Sequence, residues 1–152
     1  MSSPLFLDML TSGQGKYAQV IEIALVDIAG EIVFENRLKP TVSVEETATA
    51  VHGIRSQQLL PPGWPQTAEE LRQLMGSRTI VIFGAELDIH LLRQTAAPHK
   101  DAALWLDASD IHCAMRLAAR TLAAVTRGNV YAIWHPFYAH TFNFVAIERL
   151  TT

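Results

Sequence analysis

The alternation of apolar and polar positions divides the first forty residues into three β-rich pieces. Pro4 to Leu7 is a short apolar run that ends on Asp8, and Thr11 to Lys16 (TSGQGK) is turn-forming. Gln19 to Asp27 (QVIEIALVD) is rich in β-branched residues, Ala29-Gly30 makes a turn, and Glu31 to Lys39 (EIVFENRLK) returns with roughly alternating character. Segments of this length and period, separated by turn residues, predict a meander of antiparallel strands. Pro40 ends it.

Helical signals follow. Ser43 stands where it caps a helix through Glu45, Glu46 and Ala50, with Glu46 as the capping-box partner, and His52-Gly53 stops it. Ser56 to Leu60 predicts a second short helical turn, and Pro61, Pro62, Gly63 and Pro65 predict an irregular loop. Thr67 with Glu70 reads as the start of a helix that Gly76 ends. Thr79 to Phe83 (TIVIF) is short and wholly apolar, the mark of a buried central strand. Glu86 to Gln94 predicts a helix and Leu104 to Leu106 another strand. Ser109 to Ala124 predicts a long helix, Arg127-Gly128-Asn129 a turn, and His135 to Leu150 a closing helix. Hairpin-linked strands followed by strands alternating with helices imply a mixed sheet with helices packed on it.

Composition narrows the class. The 152 residues suit one domain spanning 1–152 with one sizeable core. At 49% hydrophobic and 18% charged, the chain is a folded globule rather than a charged, disordered tail. Its net charge of −3 makes it no general attractor of nucleic acid, although a carboxylate metal site is compatible with an acidic surface. The lone cysteine, Cys113, excludes an intrachain disulfide, which fits a cytoplasmic location, and its apolar helical setting reads as core. Met1 to Leu10 has no basic n-region, so no signal peptide is expected, and no apolar run approaches a membrane span.

The stretches LFLDMLTSG, QVIEIALVDIAGEIVFENRLKP, AVHGI and TIVIFGAELDIHLL, in that order, resemble the DnaQ-like exonucleases of the DEDD superfamily. In that family a first strand ends D-x-E-T-T-G, a second carries I-I-E-I, and an H-G-I turn follows. A later strand then runs into a helix with N-A-x-F-D, and a last helix opens with His and places Asp five residues on. IHCAMRLAAR adds a likeness to the short ExoX-type members. The resemblance covers nearly the whole chain. It implies an α/β, ribonuclease H-like mixed five-stranded sheet flanked by helices, and 3′–5′ exonuclease chemistry. The partner it implies is the 3′ end of single-stranded DNA or RNA.

The family's chemistry explains its residue types. Phosphodiester hydrolysis here uses two divalent metals about 3.5–4 Å apart. Mg²⁺ and Mn²⁺ prefer oxygen ligands, so carboxylates build the site. Two acids spaced as in D-x-E on a strand point to one face. Carried over by position, Asp8 matches the first acid, but Leu10 stands where the glutamate belongs. Asp88 matches the third acid, with Gly84 in place of the motif's asparagine and Leu87 in place of its phenylalanine. His135 in HPFYAH matches the general base, and His140 falls on the last aspartate's position. By the same resemblance Thr11, Ser12, Gly13 and His52 are expected to contact substrate. Two of four carboxylates remain, so Mg²⁺ or Mn²⁺ binding is expected to be weak. The imidazole of His140 suits a transition metal such as Zn²⁺ better.

Plainer readings stand beside these. Asp8 also suits a strand-end turn, and Asp88 the first turn of a helix, where the dipole favours an acid. His135 before Pro136 suits a helix start, and His140 suits a surface position. Glu22 is the nearest substitute for the missing glutamate but reads as structural, and Asp107 and Asp110 read as helix caps. Trp105, Trp134, Phe137 and Tyr138 have the shape to stack on bases but fit core or interface equally, while Phe142 and Phe144 read as packing. Three functions follow: a nucleic-acid-binding family member without efficient cleavage, an active nuclease with a remodelled Asp/His site, or an interaction module that pairs as a homodimer. Leu10→Glu with His140→Asp is the change expected to restore Mg²⁺ binding.

Overall fold

The computed structural model describes residues 2–122. Strand β1 (Leu5–Thr11) pairs antiparallel with β2 (Val20–Val26), and β2 pairs antiparallel with β3 (Ile32–Arg37). The meander expected from the alternation is therefore present, with β1 running three residues beyond Asp8. Helix α1 (Glu46–His52), a 3-10 turn at Ser56–Gln58 and helix α2 (Trp64–Gly76) lead to β4 (Ile80–Ile82). Helix α3 (Ala85–Ala96) and a 3-10 segment (Leu104–Ala108) then precede β5 (Ile111–Cys113) and α4 (Ala114–Leu122). The sheet order is β3-β2-β1-β4-β5, with β4 parallel to both β1 and β5. This is the α/β, ribonuclease H-like mixed five-stranded sheet flanked by helices. The expected turn at Arg127-Gly128-Asn129 and the closing helix His135 to Leu150 lie outside the described residues.

One large core joins sheet and helices. Leu5 and Leu7 of β1, Ile23 and Leu25 of β2, and Ile80 and Ile82 of β4 pack with Trp64, Leu71 and Met75 of α2 and Leu92 of α3. The indole N–H of Trp64 donates to Asp101 Oδ2 at 2.8 Å, so the largest core side chain also satisfies its polar edge. These residues occupy one face of β1. Phe6, Asp8 and Leu10 alternate onto the other and are half-buried.

Several elements depart from the sequence expectation. Leu104 to Leu106 is not a strand: Ala103 takes a left-handed φ of 48°, which turns the chain into the 3-10 segment. The helix expected from Ser109 begins at Ala114, because Ile111–Cys113 is drawn into the sheet as the parallel partner of Ile80–Ile82. Cys113 accordingly sits half-buried on a strand, its thiol donating to the Phe83 carbonyl at 3.2 Å. Helix α2 starts at Trp64 with Pro65 in its first turn, so Thr67 is inside the helix, buried, and accepts from Asn36 Nδ2 at 3.1 Å instead of capping. The N-cap of α1 is Glu45, with no side-chain cap from Ser43.

Candidate active site

The parallel pairing of β1 with β4 brings Asp8 toward the helix that follows β4. Asp8 lies opposite Ala24 of β2, on the sheet face shared with Leu10. Asp88 lies in the first turn of α3, where its backbone N–H donates to the Gly84 carbonyl at 3.1 Å. Burial pushes the Asp88 carboxyl up, and the negative charge of Asp8 adds to it, raising its pKa to about 7. The structure thus brings together the two acids that lie far apart in sequence. An acidic pair that resists double ionisation is suited to holding a shared proton or a cation.

Leu10 does not line an acidic floor. It packs with Val44 against Ile21, Ile54 and Leu59, an apolar cluster separate from the main core. Its direct cross-strand neighbour is Glu22, on the same face. Glu22 is buried and accepts from Arg37 Nε at 2.7 Å, across the next strand pair. The expectation that Glu22 is structural agrees with this pairing.

The turn after β1 is held by the backbone. Thr11 Oγ1 donates to the Gly13 carbonyl at 2.9 Å. Ser12 is buried: its N–H donates to the Gln19 carbonyl at 2.8 Å and its hydroxyl accepts from the Gln19 N–H at 3.0 Å. The Ser12 carbonyl accepts from the Glu45 N–H at 2.7 Å, which fixes the entry to α1 against the turn. His52 closes the arrangement. Its Nδ1 accepts from the Ile54 N–H at 3.1 Å, which leaves Nε2 as the protonated nitrogen donating to the Thr11 carbonyl at 3.0 Å. Both ring nitrogens are engaged with backbone, so His52 shapes the turn rather than presenting a free imidazole.

The remaining candidates are dispersed. Gly84 is the N-cap of α3, and a Cβ there would meet only Met115 Cε at an ordinary 3.7 Å, so space does not demand glycine. Leu87 is 63% exposed beside Asp88. Asp107 and Asp110 are not helix caps. Asp107 pairs with Arg93, and Asp110 accepts from the Thr79 hydroxyl at 2.7 Å and from His112 at 2.9 Å. Trp105 packs on the main core. His135 and His140 lie outside the described residues, as do Trp134, Phe137, Tyr138, Phe142 and Phe144. Sequence reasoning missed the part Glu45 and Arg37 play around the turn and Glu22, because both are brought there by chain reversals and not by a local motif.

Among the described residues no group of three or more His, Cys, Asp or Glu side chains is placed to hold a metal ion. Two carboxylates fit one hard cation whose other ligands come from elsewhere, and do not by themselves fit a two-metal set. Among the described residues no helix is long and apolar enough to cross a membrane.

Comparison with known proteins agrees with this architecture. The model of the RNase_T exonuclease family matches residues 6–149. The uncharacterized exonuclease CP81 of Escherichia phage 186 is 36% identical over 93 residues, covering 60% of this chain and 48% of the phage protein. The uncharacterized protein pSLT049 of Salmonella typhimurium strain LT2 is 45% identical over 58 residues, or 38% of this chain and 42% of that protein. The chain thus spans less than half the length of either curated relative. In fold it is similar to exonuclease I, with a TM-score of 0.66 at 15% identity over 84% of this chain and 31% of that one. It is also similar to exonuclease X in complex with 5′ overhanging duplex DNA, with a TM-score of 0.58 at 23% identity over 86% of this chain and 72% of that one. By sequence pattern, sheet topology and a family match that runs almost end to end, the chain belongs to the RNase_T exonuclease family and has the DnaQ-like exonuclease fold.

Proposed function

We propose that this protein binds the 3′ end of single-stranded DNA or RNA at Asp8 and Asp88 and cleaves it inefficiently, because one metal position keeps Asp8 but has Leu10 and His140 in place of its other two carboxylates. The observation that carries this reading is the placement of Leu10. It shares Asp8's sheet face, opposite Glu22, at the position of the family motif's second acid, and it packs with Ile21, Ile54 and Leu59. Mg²⁺ or Mn²⁺, when bound, supplies the polarisation of the scissile phosphate and the activation of water. Asp8 and Asp88 would hold that ion, and its charge would relieve their mutual repulsion. Thr11, Ser12 and Gly13 position the terminal nucleotide, with His52 fixing the turn behind them. His135 has the chemistry of the general base and His140 that of a borderline-soft ligand, both by family position. The test is incubation of the pure protein with labelled single-stranded DNA or RNA and Mg²⁺ or Mn²⁺. Binding with slow loss of 3′ nucleotides is expected. Rapid turnover abolished by Asp8→Ala would overturn the inefficient-site reading.

A second reading is favoured by the retention of the Asp8–Asp88 pair itself: an active nuclease in which these acids and His140 hold a single transition metal. Calorimetry with Mn²⁺ and Zn²⁺ separates the two. Tight binding of one ion, lost in Asp88→Asn, supports the second reading, and no binding at millimolar metal excludes it.

A further inference from the structure

We propose that Arg37, held in place by Glu22, binds a second phosphate of the strand whose scissile phosphate lies at Asp8 and Asp88. The inference rests on the function proposed above and adds to it a backbone contact on the outer strand β3. The register of the sheet relates the two places. Glu22 lies directly opposite Leu10, and Arg37 directly opposite Glu22, so all three side chains share the face that carries Asp8. Asp8 stands two residues before Leu10 on β1, and β3 is two strands away from β1. At ~3.3 Å per residue and ~4.8 Å per strand, the Cα atoms of Asp8 and Arg37 are roughly 12 Å apart. About three nucleotides of strand, at ~3.4 Å or more each, cover that span.

The pair turns its cation outward. The Glu22 carboxylate accepts from Arg37 Nε at 2.7 Å, and the Glu22 side chain is 10% exposed against 37% for Arg37. Among the described residues the terminal nitrogens Nη1 and Nη2 make no hydrogen bond. A guanidinium gripped through Nε by a buried acid keeps its two terminal nitrogens for an outside acceptor, and phosphate fits that planar fork. The neighbouring positions set the path. Asp8, Ala24 and Glu35 form the adjacent row, and the small Ala24 leaves the crossing over β2 open. That row ends on a carboxylate, whereas the diagonal from Asp8 ends on Arg37. The terminal nucleotide takes the direction along β1 toward Thr11, so the rest of the strand crosses Ala24 to Arg37.

The test uses the full chain, with labelled dithymidylate and octathymidylate titrated in calcium to limit cleavage. Removing Arg37 alone would strand a buried carboxylate, so the main variant is the double change Glu22→Gln with Arg37→Gln, which keeps the net charge at −3. Arg37→Lys is the second variant: it keeps the charge and loses the fork. Melting curves establish that both are folded. The wild type is expected to bind octathymidylate about tenfold or more tightly than dithymidylate. Both variants are expected to keep the dithymidylate affinity and to compress that gain to about two- to threefold. In the double variant the slope of log affinity for octathymidylate against log salt is expected to shrink by about 0.7, the share of one phosphate on a single strand. If the length gain and the slope are unchanged in both variants, or if both oligonucleotides lose affinity equally, the role of Arg37 is wrong while 3′-end binding stands. If neither oligonucleotide binds any of the three proteins, the 3′-end reading itself falls, and the role of Arg37 falls with it.

Discussion

Asp88 is a carboxyl whose surroundings oppose its charge. Its pKa is pushed to about 7 by burial first and by Asp8 second, whereas in an unfolded chain an aspartate titrates near ~4. The folded protein therefore binds this proton more tightly than the unfolded chain. Its stabilising contribution is complete below about pH 4 and is lost as the pH rises through about 7. After discounting for partial exposure, the loss is on the order of 1–3 kcal/mol. In chelator-treated buffer the melting temperature is expected to fall by several degrees between pH 5 and pH 8. Asp88→Asn should flatten that fall, and millimolar Mn²⁺ at pH 8 should reverse part of it in the wild type only. A wild-type melting temperature independent of pH across this window would show that neither burial nor Asp8 raises the Asp88 carboxyl. Leu10 presents the complementary case. Placing a glutamate among Val44, Ile21, Ile54 and Leu59 puts a carboxylate beside apolar side chains, and Leu10→Glu alone is expected to cost about 1–3 kcal/mol. Combined with His140→Asp it should regain stability on addition of Mg²⁺, read as a Mg²⁺-dependent rise in melting temperature. The same rise in Leu10→Glu alone would mean that the last acid position is not His140.

At the scale of elements, the site depends on how the end of β1 is joined to the segment after α1. His52 makes that joint through two backbone partners, the Thr11 carbonyl and the Ile54 N–H. His52→Ala leaves both without their side-chain partner, which is expected to cost about 1–2 kcal/mol. Amide exchange at Ile54 should speed up, while the amides of β2 that pair with β1 keep their protection. Equal loss of protection across the sheet would mean that His52 supports the whole fold. The elements also show what sequence pattern can carry. The meander was legible because a period of two with turn residues between strands is a local signal, and Asp8 and Asp88 were legible because each stands in a motif tied to a strand or helix end. Trp64, Ile111 and Leu104 were misread for a common reason. The start of α2 depends on Pro65 suiting a first turn after Gly63, β5 exists only because β4 offers it a partner, and the 3-10 segment follows from the backbone at Ala103. The packing of Leu10 and the position of Glu45 were not legible, since both depend on Ile54, Leu59 and the Gly13 turn meeting across chain reversals.

For the whole molecule the proposed function raises the question of how a chain with net charge −3 would hold a polyanion. Among the described residues four arginines are paired with acids. Arg37 pairs with Glu22, Arg72 with Glu69, Arg93 with Asp107 and Arg116 with Glu86. Lys16, beyond the turn, lies over the exposed ring of Tyr17 at 4.8 Å from its centroid, the nearest described cation along the chain to the Thr11–Gly13 turn. A net charge of −3 offers no general attraction for many phosphates. On the function proposed above, affinity would come from a divalent ion between the Asp8–Asp88 pair and one phosphate, together with contacts to the terminal nucleotide. Such binding releases few counterions. For a single strand, each neutralised phosphate contributes a slope of about −0.7 in log affinity against log salt. One or two phosphates therefore give a total near −1, and less than about a tenfold loss of oligothymidylate affinity between 50 and 200 mM monovalent salt is expected. Chelation of the divalent ion should cost more affinity than that entire salt range. A loss of about a thousandfold over the same range, insensitive to chelator, would mean that the strand is held by its backbone on a basic surface and that the acidic pair is not where it binds.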